Sequence, residues 1–319
     1  MAKNKKSGAT KGKGRKPGAI RLDFQKNKAV YFMFLPVVIF YITFHYYPMS
    51  GIILAFKDFK PALGIWGSPF TGDFGFEHFI DFFGSSHAAR TITNTILISF
   101  YQIIFGFPMP IILAIMLNEL HNRKFKKVMQ TVTYFPHFIS TVVVCGMLTE
   151  FCLSDGLFNQ IGGFFGAEPV SLLSQPKYFR TIYVASGIWQ SMGWDSIIYL
   201  AAIAGIDTQL YEAASLDGAG RFRKIWHITL PGIKGTIVIL FIMAIGKMMS
   251  VGSEKILLLY NPSTYQTADV ISTYVYRKGL LDQDYSYSTA VNLFNSVINF
   301  VLVFLANALS RKLTETSLF

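Results

Sequence analysis

The chain has 319 residues, of which 52% are hydrophobic, 16% aromatic and only 15% charged, with a formal net charge of +11. Soluble domains carry about 25% charged residues, so the shortage of charge excludes an ordinary water-soluble globule. The basic excess does not point to nucleic acid, because ten of the 29 Lys and Arg lie within residues 1–28.

In chain order, residues 1–28 form a basic cytoplasmic tail of Lys, Gly and Ser character, attracted to anionic headgroups and setting orientation. The apolar run that follows passes into FHYYPMSG without a small-x-small cleavage site, which reads as an uncleaved signal-anchor. Spanning a bilayer takes about 20 predominantly apolar residues in helical form, since no water is available there for unpaired backbone groups. Six segments qualify: about 29–47, 91–117, 128–153, 178–204, 235–251 and 289–309. The fifth is shorter and less purely apolar. Pro36, Pro108 and Pro110 fall within spans, where neighbouring helices can satisfy freed carbonyls. Cys145 and Cys152, seven apart in the third segment, share a helix face as small apolar residues and make neither a disulfide nor a metal site.

The expected architecture is an all-α integral membrane protein, a membrane domain over 29–319 with six transmembrane helices. With a cytoplasmic N-terminus, the inside segments hold 20 Lys and Arg against eight outside, counting Arg180 at the outer end of the fourth span, so both termini are expected in the cytoplasm.

Between the fourth and fifth spans lies YEAASLDGAGRFRKIWHITLPGIK, too ordered for a connector. Asp207 is placed to cap a helix over 208–216, and Gly218 suits the left-handed residue that ends it. A second short helix through about His227 puts Phe222, Ile225 and Trp226 on one face, with Arg221, Arg223 and Lys224 elsewhere. Pro231 is expected to stop that helix and open the next. So small an amphipathic pair must dock on lipid, on its own protein or on a partner.

The letters and spacing here, Glu212-Ala213-Ala214, three residues, Gly218, nine residues, then Ile228-x-Leu230-Pro231, resemble the EAA loop of ABC importer permeases. Asp217, Ala219, Phe222 and Thr229 resemble the carbohydrate-importer version. With NTILIS at Asn94–Ser99 and YFPHFIS at Tyr134–Ser140, the chain is similar over most of 29–319 to oligosaccharide permeases of the polysaccharide type. The resemblance implies the type I importer transmembrane fold, with residues 207–231 as a cytoplasmic coupling loop seated on an ATPase. Glu212, Ala213, Ala214, Asp217 and Gly218 would form its contact core, and Ile228, Leu230 and Pro231 would anchor it to the membrane part. It also implies a second permease, forming a heterodimer, two ATPase subunits carrying ATP and Mg, an extracellular solute-binding protein and a bacterial plasma-membrane location.

The chain itself lacks G-x-x-x-x-G-K-[ST] and G-x-S-x-G, and its six histidines have no metal-ligand spacing, so no enzyme activity and no bound cofactor or metal are expected. For cargo contact, IWQSMGWDSIIY in the fourth span offers Trp189, Gln190, Trp194, Asp195 and Tyr199. Asn292, Asn295 and Asn299 follow at i, i+3, i+7 in the sixth span, and Lys247 lies in the fifth with Ser250 and Glu254 on a similar side. Interfacial anchoring serves the tryptophans equally well, interhelical hydrogen bonding the asparagines, and pairing with Glu254 or a partner's carboxylate the lysine. The outer segments 48–90 and 252–288 read either as plain solvent-exposed loops or as the surface that meets a binding protein. An oligosaccharide importer subunit is the expectation. A permease for peptides or other small solutes, and a membrane enzyme acting on lipid-linked sugars, are the alternatives.

Overall fold

The structure is a computed structural model that describes residue 24 and residues 26–314. It divides into two compact units, residues 1–53 and 54–319. In the first, a helical run begins that extends over Lys28–Phe56 (α1), 29 residues long. Its side chains, Phe32, Met33 and Phe44 among them, are exposed, as suits a helix whose neighbour is hydrocarbon.

The second unit is built from helices: α2 (Glu77–Gly84), α3 (Ser86–Asn118), α4 (Arg123–Tyr134), α5 (Thr141–Phe151), α6 (Pro176–Ala204), α7 (Thr208–Leu216), α8 (Lys234–Gly246), α9 (Ser253–Leu259), α10 (Ile271–Tyr276) and α11 (Tyr285–Thr314). Among the described residues the one β-feature is an isolated bridge, Lys57 to Phe70. Three runs are long and apolar enough to cross a membrane, Lys28–Phe56, Ser86–Asn118 and Tyr285–Lys312. Two bent pairs raise the number to five. At 29 residues α6 is also long enough, but it carries the polar run noted above. It packs along the second half of α3, while α8 packs on α11 and α9 on α5.

The expected third span is two helices. The run Arg123–Phe138 and α5 meet at a 95° bend. Pro136 sits in a tight 3-10 turn, and Ile139 and Ser140 are extended, so the helical hydrogen-bond ladder stops there. A second correction concerns Pro231. The helix is not stopped by it but runs through it, over Arg221–Gly232, and the 63° bend falls after Ile233. The cause is a π-turn at Ile225–Thr229, in which the Leu230 N–H reaches back to the Ile225 carbonyl. Proline lacks an N–H and crowds the carbonyl four residues earlier, and a widened turn relieves both effects. The same device precedes Pro48, at Ile42–Tyr46, and Pro108, at Gln102–Gly106.

The segment 252–288 is folded rather than a plain loop. Asp269, fully buried, takes Arg277 at 2.7 and 2.9 Å and Arg90 at 3.0 Å, and accepts from the Thr273 hydroxyl at 2.9 Å. Asn94 donates to the Asp269 and Gln266 carbonyls and accepts from Arg180 at 2.7 Å, tying α3 and α6 to this segment. A buried carboxylate needs this density of donors, and the bidentate arginine supplies much of it.

Candidate functional site

Two places carry the chemistry. The first is the hairpin between α6 and α8. Asp207 caps α7, its carboxylate accepting the Gln209 N–H at 2.9 Å. Gly218 adopts φ +73, the Ala219 N–H bonds back to the Ala214 carbonyl at 2.8 Å, and the Gly218 N–H bonds to Ser215 at 3.1 Å. That is a Schellman ending, which needs the left-handed residue that glycine supplies at least cost. The two arms are then braced: Tyr211 to Thr229 between hydroxyls at 3.0 Å, and the Lys224 ammonium to the Ser215 hydroxyl at 2.6 Å. At the base, Ile233 and Ile206 join Tyr199, Ile203 and Ala114 in one apolar cluster shared by α3, α6 and α8. The hairpin is therefore a stiff element with a rooted base.

Its outer surface is bare. Glu212, Ala213, Asp217 and Gly218 are exposed, Ala214, Ile228 and Leu230 are half-buried, and Pro231 is exposed. Leu216 and Phe222 are 91% and 89% exposed, and Trp226 is largely exposed as well. Large apolar side chains this open mark a surface that something covers. Leu216 is the last residue of α7, and its place at the helix-ending turn is what turns it outward.

The second place is a cavity of about 580 Å³ lined by α3, α6, α8 and the Lys247–Lys255 stretch. Gln190, Asp195, Tyr199 and Lys247 border it, together with Ser99, Gln102, Ser191, Ser250 and Lys255. The volume lies within the range of about 300–1,000 Å³ usual for ligand sites. Here α8 ends at Gly246, and an irregular stretch leads into α9. The freed backbone groups are met from behind. The Ser99 hydroxyl donates to the Met248 carbonyl, the Asn299 carboxamide accepts the Met249 N–H at 2.9 Å, and Ser272 donates to the Val251 carbonyl at 2.9 Å. Irregular backbone at membrane depth persists where it is supported by protein or lines a cavity, and this stretch meets both conditions.

The other sequence-derived candidates separate. Trp189 points away from the cavity, into an apolar hollow of about 430 Å³ with Val144, Met147, Phe151 and Phe158. Trp194 stacks on His137, rings 4.6 Å apart and within 3° of parallel. Gln190 donates to the Ile139 carbonyl at 3.1 Å, in the break between α4 and α5. Asn299 also donates to the Ser250 hydroxyl at 2.8 Å. Asn295 is buried, whereas Asn292 is exposed. Neither borders the cavity. Lys255 was missed by sequence reasoning. Its ammonium lies 3.4 Å from the Tyr183 carbonyl and 5.3 Å from the Tyr183 ring. Among the described residues no cluster of His, Cys, Asp and Glu could hold a metal.

With this geometry in hand, comparison with known proteins is informative. Residues 106–315 match the family model for the binding-protein-dependent transport system inner membrane component. The chain is 40% identical over 296 residues to Protein LplB of Bacillus subtilis, covering 92% of each chain. It is 43% identical over 295 residues to the polygalacturonan/rhamnogalacturonan transport system permease protein YteP of the same organism, covering 92% of this chain and 91% of that one. Among solved structures, a bacterial ABC transporter involved in import of the acidic polysaccharide alginate superposes with a TM-score of 0.85 at 44% identity, over 92% of this chain and 99% of that chain.

Proposed function

Since the chain belongs to the family of binding-protein-dependent transport system inner membrane components, we propose that it is the permease subunit of an ATP-driven importer that moves oligosaccharides inward. In this reading six helices cross the membrane, with α4 and α5 together, and α8 with the stretch after it, each counting as one broken span. Both termini and the α7 hairpin face the cytoplasm. A second permease completes the pathway, two ATPase subunits bind and hydrolyse ATP with Mg, and an extracellular binding protein delivers cargo. The chain is a transport subunit and does no covalent chemistry itself. The oligosaccharide class is carried from relatives such as the polygalacturonan/rhamnogalacturonan permease and the alginate transporter solved with a pentasaccharide-bound periplasmic protein.

The observation that carries the coupling role is the stiff hairpin with an uncovered tip. Closure of an ATPase pair against it moves a rigid body whose base is shared by α3, α6 and α8, so the force reaches the helices that line the cavity. Glu212, Ala213, Ala214, Asp217 and Gly218 supply the contact, with Leu216 and Phe222 as apolar knobs beside them. Ile228, Leu230 and Pro231 continue the second arm into the membrane part. Asp195, Tyr199 and Lys247 are the cargo-facing residues retained from the sequence reading.

Co-purification tests this. Gly218→Pro cannot adopt the positive φ, and Glu212→Lys reverses the tip's charge. Both variants are expected to insert normally yet lose the ATPase subunit and transport. Wild-type transport by both would remove the coupling assignment. A membrane enzyme, by contrast, would act alone and be indifferent to either change.

A further inference from the structure

We propose that Lys247 and Lys255 form an anion subsite in the cavity that takes a carboxylate of the cargo, which makes the cargo an acidic, uronate-bearing oligosaccharide. This rests on the importer reading above and adds to it a substrate class and two residues.

The cavity carries unmatched charge. The ion pairs among the described residues involve Asp58, Asp269 and Asp282, all away from the cavity. Neither cavity lysine has a carboxylate within ion-pair distance in that set. Asp195, hydrogen-bonded by Ser191 one turn earlier, is the single acid on the cavity wall and sits within electrostatic reach of Lys247. Two lysines against one aspartate leave a surplus of one positive charge.

Depth makes the surplus expensive. Lys247 follows the 13 residues of α8, so it lies about 20 Å along the helix axis from Lys234. Ionisable groups at such depth face a water-filled path or a partner, because hydrocarbon cannot solvate them. Lys247 is exposed into the cavity, while Lys255 is half-buried over Tyr183. Its one oxygen contact, at 3.4 Å, is too long to replace a carboxylate.

The remaining polar groups argue against a purely structural purpose. In the same region Gln190, Ser99 and Asn299 each satisfy a backbone group freed by a broken helix. The lysines do no comparable work, and they approach the cavity from the two ends of one irregular stretch. A surplus of one charge fits a monoanionic substituent, and on a sugar the carboxylate of a uronate supplies it.

The test uses the whole transporter in proteoliposomes: this chain, its partner permease, the ATPases and the binding protein. The probes are pooled oligogalacturonates and oligoalginates, each paired with its carboxyl-reduced, neutral counterpart. Wild type is expected to favour the acidic pool, and Lys247→Met and Lys255→Met are each expected to lower the acidic-to-reduced uptake ratio about tenfold. Lys247→Arg and Lys255→Arg should restore most of it, which guards against a variant that merely misfolds. An unchanged ratio in both Met variants, or no wild-type preference, overturns the subsite and leaves the importer reading standing. Failure of wild type to take up any oligosaccharide overturns the importer reading itself. Loss of assembly in both Met variants with no rescue by Arg shows a structural lysine pair and also overturns the proposal.

Discussion

Of the helix breaks in the second unit, the one between α4 and α5 and the one between α8 and α9 are finished in different ways. The first is closed. Gln190 takes the free Ile139 carbonyl, Trp194 lies flat on His137, and Gly193 lets α6 approach so nearly that a Cβ there would overlap the Thr133 carbonyl. The second is supported by Ser99, Asn299 and Ser272, and it opens on the cavity. Both obey the rule that backbone polar groups in a membrane find partners inside the protein. The difference is what remains afterwards: a bonded carbonyl and a stacked ring pair at the first break, and two lysines with no carboxylate within ion-pair distance, Lys247 and Lys255, at the second.

The largest expected effect tests the closed break. Gly193→Val puts side-chain atoms where the Thr133 backbone now lies, and backbone cannot swing aside as a flexible side chain can. Overpacking of this kind costs about 1–3 kcal/mol, and this site is at the upper end. The measurement is the midpoint of thermal unfolding in detergent, with Gly146→Ala in α5 as control, since nothing lies within 4 Å of a Cβ there. An unchanged midpoint for Gly193→Val would mean that α4 is not seated on α6 and would erase the contrast between the breaks.

A smaller pair of effects ranks the two supports. Asn299→Leu strands the N–H of buried Met249, and an unmet buried donor costs about 1–3 kcal/mol. Gln190→Leu removes one bond to the carbonyl of half-buried Ile139, which water can partly replace, so about 0.5–1.5 kcal/mol is expected. Thermal midpoints should therefore order wild type, Gln190→Leu, Asn299→Leu from high to low. The reverse order would show that the open break is the better supported by other groups.

These residues also mark how far the sequence could be read. The second and sixth segments were legible because apolarity continues through them, and the fourth because its polar run is short; α3, α11 and α6 cover them. The cap signals of the hairpin were legible because they are local: Asp207 and Gly218 act within a few residues of themselves. The break at Ile139 was not, since FPHFIS is as apolar as its flanks and hydropathy records composition rather than direction. The asparagine stripe was correct as a spacing, yet its three members meet different surroundings. Only packing decides that Asn299 braces a break while Asn292 faces outward. Lys255 was counted with the outer loops. A signal was present, though: a short fifth apolar segment followed at once by SEKILLL, which is the pattern of a discontinuous helix resuming.

The smallest effect is a pair of readouts from one variant, and it separates the cavity's use from its cost. Lys255 is half-buried over the Tyr183 ring, and its ammonium makes one long contact, at 3.4 Å, to the Tyr183 carbonyl. A charge this poorly met at depth is expensive to keep, and an apolar side chain of similar length removes the expense. Lys255→Met is therefore expected to raise the midpoint of thermal unfolding slightly while lowering the ratio of acidic to carboxyl-reduced uptake. A lysine with only a packing role would show the gain in stability without the loss of acidic uptake. Opposite movements of the two readouts are what a charge retained for the cargo requires.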